Sequence, residues 1–355
     1  MTRAAHIVEA GGRGGVYQHA VAVANALAAR GVPVVLHTAG DAELTPSAGV
    51  RVCRCVRWFR NVRPGLLRPP LIGLAYVLGT LPHLARAVRA GDVYHFQGEF
   101  KSVLTTLGLM LQRALPRRRV VQSRHNTFSR HGGRLDRALM RRDARLCHAT
   151  IVFTESDERR VRSWGGRPVR SPLAQYVPPV AAAARERWRE RWGGAGTVLL
   201  FAGQVRADKR LDLLLEAAAT LPEPPRVAVV GEDLGEAERC RARAERLGVD
   251  VRWTLDYVPL EDFAAAIEAA DVVVCPYDRA SQSGVLAISR AVGTVTVATD
   301  VGGLSELAGV TVPPGDAGLL AAGVRRALAL RDRADPPLDE QVAVAHLRAY
   351  GFAGR

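Results

Sequence analysis

Short apolar runs alternate with helix-like stretches along the whole chain, and this alternation restricts the fold more than any other feature of the sequence. HIVEA, PVVLHTA, DVYHF, RVVQSRH and TIVFT succeed one another in the first half, with AVAVANALAAR and the stretches 102–115 and 135–148 between them. TVLLFAG, RVAVVGE, DVRWTL, DVVVCPY and TVTVATD repeat the rhythm in the second half. Such runs show little polar alternation, so both faces of each strand must be covered. A helix after each strand makes parallel pairing the natural solution. The sequence thus predicts an α/β chain with two doubly wound, Rossmann-like domains.

At 355 residues the chain exceeds what one ordinary core supports. SPLAQYVPPVAAAA, at 171–184, is uncharged and punctuated by proline, which marks a linker. The expected domains are 1–175 and 176–340. Doubly wound sheets bind ligands beyond the carboxyl ends of their strands, so two such domains facing each other would enclose a cleft.

Charge divides the chain unevenly. Residues 1–180 hold 28 Lys/Arg against 10 Asp/Glu, while the remainder holds 21 against 25. The basic half calls for an anion: nucleic acid, an anionic membrane or an acidic substrate. No recognisable nucleic-acid module accompanies the arginines, which argues against the first. Residues 51–90 carry eight arginines and no acid, with Trp58, Phe59, Leu66 and Leu67 among them. That mixture suits either a solvated basic face or contact with an anionic membrane surface. The uncharged run 69–85 contains Pro69, Pro70 and Pro82 and is too short and too broken to span a bilayer.

The five cysteines are odd in number and lack C-x-x-C spacing, so neither a zinc site nor a disulfide framework is expected. The N-terminus MTRAAHIVEAGGRGG reaches glycine before an apolar signal core could finish. These features suit a cytoplasmic protein, with peripheral attachment at the inner membrane face if residues 51–90 meet lipid. Asp41 and Glu43 form an acidic pair in a turn without companion ligands, and no metal is expected there.

Two stretches carry the chemistry. In FAGQVRADKRLDLLLEA (201–217), a strand ends at the turn residue Gly203 and a helix opens at Leu211, so Arg206 and Lys209 lie on the loop between them. A helix N-terminus offers free N–H groups and positive dipole there. In ASQSGVLAISRAVGTVTVATDVGGLSE (280–306), Ser281, Ser283 and Gly284 precede a second apolar helix and add further backbone donors. A diphosphate fits both halves of this cradle, because it needs cations that can be desolvated together.

These pieces, with GGVYQHAVAVANALAARG, DVYHFQG, SRHN, ADVVVCPY, SQSGVLA and VPPGD in order, resemble glycosyltransferase family 4, the nucleotide-sugar-dependent transferases of the GT-B fold. The resemblance is closest to members carrying a Q-S-G-V loop. It implies that Arg206 and Lys209 act on the diphosphate, with Ser283, Gly284 and Val285 beneath it and the Gly203 turn beside it, while Ser281 and Gln282 are candidates for sugar or ribose contacts. It places Gly14 and Gly15 against the distal phosphate and acceptor, His125 near the transferred sugar, and Val258 against the nucleobase. It leaves His95 structural and sends the segment 341–355 back onto the first, acceptor-side domain. The implied reaction is retaining and metal-independent transfer from a nucleotide-sugar donor to a hydroxyl acceptor, with no cofactor. The acceptor would be lipid-linked if residues 51–90 meet a membrane, and a soluble small molecule otherwise.

One departure stands out. Two glutamates common in the family fall at Ala280 and Ile288, or at Ser281 and Ser289 if shifted by one, so both carboxylates are missing. Two rival readings follow: a non-catalytic nucleotide-binding, membrane-associated partner of another transferase, and a sugar-nucleotide epimerase on the same fold.

Overall fold

The computed structural model describes residues 3–57, 68–98, 102–128, 133–330 and 338–352. The chain forms two units, Met1–Tyr176 with Leu338–Arg355, and Val177–Pro337. The first unit runs β1 (Ala5–Val8), α1 (Gly14–Ala29), β2 (Val34–Ala39), β3 (Val50–Val56) and α2 (Arg68–Ala75). A π turn at Tyr76–Thr80 leads into α3 (Leu81–Ala87) and then β4 (Val93–Gln97). It continues through α4 (Ser102–Ala114), β5 (Arg119–Ser123), α5 (Arg134–Leu146), β6 (Ala149–Val152), α6 (Glu155–Ser163) and β7 (Pro168–Arg170). Every residue of β1, β4 and β6 is buried, as strands covered on both faces require.

The strands are parallel in the order β3-β2-β1-β4-β5-β6-β7. Winding proceeds outward from β1 to β3 and then restarts at β4 on the other side. The loops after β1 and β4 consequently diverge, which is the switch point where such sheets bind ligands.

The second unit contains α7 (Ala182–Arg191), β8 (Val198–Ala202), α8 (Leu211–Ala219), β9 (Arg226–Val230), α9 (Ala237–Leu247), β10 (Val251–Thr254) and α10 (Leu260–Ala269). It ends with β11 (Val272–Cys275), α11 (Gly284–Val292), β12 (Thr296–Thr299), β13 (Val310–Val312) and α12 (Ala317–Leu328). Its parallel order is β10-β9-β8-β11-β12-β13, with the switch point between β8 and β11.

Helix α13 (Asp339–Tyr350) belongs to the first unit. Glu340 forms an ion pair with Arg30, the residue that caps the end of α1, Arg119 donates to the Ala349 carbonyl at 2.6 Å, and the Tyr350 hydroxyl lies 2.7 Å from His95 Nδ1. Of the segment 341–355, residues 353–355 lie outside the described residues, as do Trp58, Phe59, Leu66 and Leu67. Among the described residues no helix is long and apolar enough to cross a membrane.

The docking of α13 closes a core of histidines that the sequence does not announce. His19 meets His125 and Phe153 edge-on, with centroids 5.1 and 4.8 Å away. His346 lies 5.5 Å from His95. His19 Nδ1 sits 2.7 Å from the Ala174 carbonyl and His346 Nδ1 sits 2.8 Å from that of Val342, so each ring donates there. Each Nε2 is left buried without a hydrogen-bond partner. A proton added at that atom would bury an unpaired charge. Burial accordingly lowers His19 to about 4 and His346 to about 3, and burial with neighbouring histidines holds His95 well below the usual range.

The sign of the resulting pH dependence follows. Between 6.5 and about 4 the unfolded chain binds a proton at His19 that the folded chain refuses, so stability rises with pH across that window, by up to about 1.4 kcal/mol per pH unit for each such histidine. Melting of the protein across this window is expected to show a falling Tm toward acid, with a shallower fall in His19→Gln. Parallel curves for the two proteins would contradict the assignment.

Candidate functional site

The site of the second unit is built at the β8/β11 switch point. After β8 the chain turns at Gly203, with φ +102°. Gly231, after the neighbouring strand β9, has φ +143°, and a Cβ there would lie 2.2 Å from the Gly203 carbonyl oxygen. Only glycine permits the two turns to approach this closely. Val205 then pairs with Asp233 in an isolated parallel bridge, donating to Glu232 at 2.9 Å and accepting from Leu234 at 3.0 Å. This short extension carries the chain past the sheet edge and delivers Arg206.

Arg206 and Lys209 lie on the connection between β8 and α8, where the sequence placed them, and that connection is ordered. They bracket a 3-10 turn, Ala207–Lys209, ahead of α8. Arg206 is forked by Asp208 at 2.8 and 3.0 Å, both side chains being about a quarter exposed. Lys209 Nζ stands 3.4 Å above the centroid of the Tyr277 ring. Arg210, with φ +51°, bridges Asp212 and Asp278, while the Asp278 N–H donates to the Asp208 carbonyl at 3.0 Å. The turn after β8 is thereby fastened to the chain leaving β11.

Tyr277 anchors the second stretch. It is buried, Thr299 donates to its carbonyl at 2.6 Å, and its hydroxyl interacts with Cys275 and Ser283. Burial first, then Cys275, pushes that hydroxyl well above the phenol range, so it stays neutral. Ser283 caps α11, accepting from the Leu286 N–H at 3.4 Å. A Cβ on Gly203 would lie 3.6 Å from Val285 Cγ2, so the start of α11 adjoins the β8 turn. Gly302 presses onto the same loop, since a Cβ there would sit 1.6 Å from the Ala280 carbonyl oxygen. Gly303 donates to the Ser281 carbonyl at 3.2 Å.

The structure therefore assembles Gly203, Arg206, Lys209, Ser281, Ser283, Gly284 and Val285 in one place, with the half-buried Gln282 between the two serines. Val258 lies apart, on the loop after edge strand β10, two strands from β8. Sequence reasoning missed Tyr277, Asp208 and Asp278. For Asp208 the signal was its place two residues after Arg206; for Tyr277 and Asp278, brought in by sheet topology, there was none.

In the first unit Gly14 opens α1 with φ +73°, but its N–H already donates to Glu43 at 2.9 Å. Glu9 receives Gly11 and Gly12 at 2.8 and 2.7 Å. Glu43, read from sequence as part of an idle acidic turn, in fact supplies the anion at this helix N-terminus. Gly15 beside it is exposed. His125 is buried, with Nε2 3.4 Å from Gln97 Oε1. Cys53 and Cys55, for which the sequence offered no zinc spacing, converge with His37 and His83, their four ligand atoms all within 4.8 Å of one another.

With the geometry in place, two family models match the chain. Glycosyltransferase Family 4 covers residues 13–171 and Glycosyl transferases group 1 covers residues 196–330. The chain belongs to glycosyltransferase family 4. A D-inositol 3-phosphate glycosyltransferase of Geodermatophilus obscurus is 34% identical over 210 residues, 51% of this chain and 46% of that protein. The chain spans less than half the length of the curated relatives it matches. Two solved structures share the fold over nearly the whole chain. Sucrose-phosphate synthase from Thermosynechococcus elongatus has a TM-score of 0.73 at 18% identity, covering 99% of this chain and 94% of its own. The catalytic domain of starch synthase IV from Arabidopsis thaliana, bound to ADP and acarbose, has a TM-score of 0.74 at 13% identity, covering 99% of each. The two Rossmann-like units are thus those of the GT-B fold.

Proposed function

We propose that this family 4 member transfers a sugar from a nucleotide-diphosphate donor to a hydroxyl acceptor, with retention and without a metal in the transfer step. The observation carrying this reading is the turn that sets Arg206 and Lys209 against the start of α11 at the β8/β11 switch point. As the bond to the sugar breaks, negative charge grows on the departing diphosphate. Lys209, Arg206 and the backbone N–H groups around Ser283, Gly284 and Val285 would stabilise that charge more than the ground state. The departing phosphate oxygen can itself take the acceptor proton, so retention needs no separate base. In the first unit, Gly15 and His125 are assigned to the acceptor side, and Gly14 joins them only if Glu43 yields its N–H.

The Asp208 fork has a consequence for binding. It holds the Arg206 guanidinium in place but offsets part of its charge, so an incoming diphosphate must share or displace it. Lys209, whose ammonium stands over the Tyr277 ring, is the second cation available to the diphosphate.

One observation favours a second reading, that of a nucleotide-binding partner without turnover. Ile288 and Ser289, the two alternative places for the second of the family's glutamates, are both buried, and Ser289 donates to the Val285 carbonyl at 2.9 Å. The missing charge-assisted bond is worth ~1.5–3 kcal/mol, a tenfold or greater loss of donor affinity.

Incubating the protein with UDP-, GDP-, ADP- and TDP-sugars and following nucleoside diphosphate release separates the readings. At least one donor is expected to turn over, and Lys209→Ala and Arg206→Ala are expected to lower kcat by ~10²-fold or more. Binding without release would favour the partner reading. Turnover unchanged in both variants would sink the site assignment.

We also propose that the first unit touches a membrane. Leu71, Leu74, Val77 and Leu78 are exposed on α2 and the π turn, and Val103, Leu107 and Met110 on α4. Gly108 of α4 lies against Tyr76 and Leu81, so these elements adjoin. The exposed Arg51, Arg54 and Arg57 belong to the same basic segment. Co-sedimentation with anionic vesicles, reduced in a Leu74→Ser, Leu78→Ser double variant, is the expected result. Equal failure on anionic and neutral vesicles would remove this proposal and leave a soluble acceptor.

A further inference from the structure

We propose that His37, Cys53, Cys55 and His83 form a four-coordinate Cys2His2 site for a zinc ion, which ties the edge strand of the first unit to helix α3. The site is separate from the sugar-transfer machinery and does not rest on that reading.

Three elements supply the ligands: β2 gives His37, β3 gives Cys53 and Cys55, and α3 gives His83. Their placement is not a trivial result of strand pairing. His37 pairs with Cys53, but Ala39 pairs with Val56, so β3 carries one extra residue in between. That bulge re-aims the strand at the point where Cys-x-Cys would otherwise run on in plain register. Cys53 Sγ lies 3.2 Å from His83 Nε2, and Cys55 Sγ lies 3.7 Å from His37 Nδ1. In a tetrahedral zinc site with Zn–S about 2.3 Å and Zn–N about 2.0 Å, neighbouring donors stand about 3.3–3.8 Å apart. The Cys55–His37 separation falls within that spacing, and the Cys53–His83 separation of 3.2 Å is just below it. The outer limit of 4.8 Å among all four atoms leaves a contraction of about 1 Å.

The surroundings orient the ligands as a metal requires. His37 is buried, and its other nitrogen, Nε2, sits 3.0 Å from His6 Nδ1. His6 Nε2 lies 3.5 Å from Asp92, whose carboxylate is fixed by the N–H groups of Ala4 and Arg89, both at 2.9 Å. Only one assignment of neutral tautomers satisfies this row. His37 donates from Nε2 to His6, His6 donates from Nε2 to Asp92, and His37 Nδ1 is left with a bare lone pair toward the cysteines. A carboxylate-backed chain behind a histidine ligand is the usual way a protein fixes the ring and raises its basicity.

The donor set selects the ion. Two thiolates and two imidazoles suit zinc and disfavour calcium or magnesium, which want oxygen ligands. Two thiolates cancel the ion's charge, so the occupied site adds no net charge beside the cationic Arg51. Four protein ligands leave no open position, which makes the site structural and not catalytic. Its role is to clip β3, which has a neighbour on one side only, to the helix that follows residues 57–80.

The test uses the full chain, purified without a metal-affinity step. Metal analysis is expected to find close to one zinc per chain. Cobalt(II) added to chelator-treated protein is expected to give the thiolate-to-cobalt charge-transfer band of two thiolates and the intense visible absorption of a tetrahedral site. Cys53→Ser and His83→Ala are expected to lower zinc affinity by at least tenfold, while Cys240→Ala, in the other unit, retains it. No bound zinc together with a weak octahedral cobalt spectrum would overturn the proposal. So would retention by both ligand variants, or a Cys53–Cys55 disulfide in freshly isolated, zinc-free protein. Should the variants fail to fold, the wild-type cobalt spectrum decides, because its charge-transfer intensity counts the thiolates.

Discussion

A parallel sheet wound outward in two directions from its middle cannot fill the space beyond its two central strands, because the loops leaving them run to opposite sides. Both units obey that constraint, at β1/β4 and at β8/β11. In the second unit the space is furnished by two turns pressed together through glycine. Gly231 admits the Gly203 carbonyl, and Gly302 admits that of Ala280. Side chains at these points would hold the turns apart, and Arg206 and Lys209 would no longer stand beside the start of α11.

Within that frame, the cations are positioned by different means. Arg206 is held by a carboxylate and Lys209 by the face of a buried tyrosine. A carboxylate fixes geometry at the expense of charge, and an aromatic face holds a cation by its ring quadrupole. The first unit takes the opposite course, satisfying its glycine-rich turn with Glu9 and Glu43 from its own chain. One helix N-terminus is therefore closed by the protein itself, and the other site presents cations.

Features set by neighbours in sequence were legible before the structure. The buried strands read as unbroken apolar runs, and the cradle could be placed because strand, turn and helix follow one another within 201–217. The edge strands were harder. Val50–Val56 carries arginine and cysteine in alternation with valine, and Pro168–Arg170 is three residues long, so neither forms an apolar run. Contacts between distant residues were not legible at all. Nothing in the sequence pairs Glu43 with Gly14, sets Tyr350 on His95, or gathers His37 and His83 around Cys53 and Cys55, because those approaches are made by sheet register and by the return of α13. The family resemblance supplied roles for residues, but it could not show that Asp208 already occupies Arg206.

The central claim is that the second unit grips a diphosphate through Lys209 and Arg206. Calorimetric titration of nucleoside mono- and diphosphates of one base into wild type and into Lys209→Ala tests it most directly. The expected result is a diphosphate bound at least tenfold more tightly than its monophosphate by the wild type, with that preference largely lost in the variant. Equal affinity for the two nucleotides in the wild type, or a preference that survives the substitution, would contradict the account.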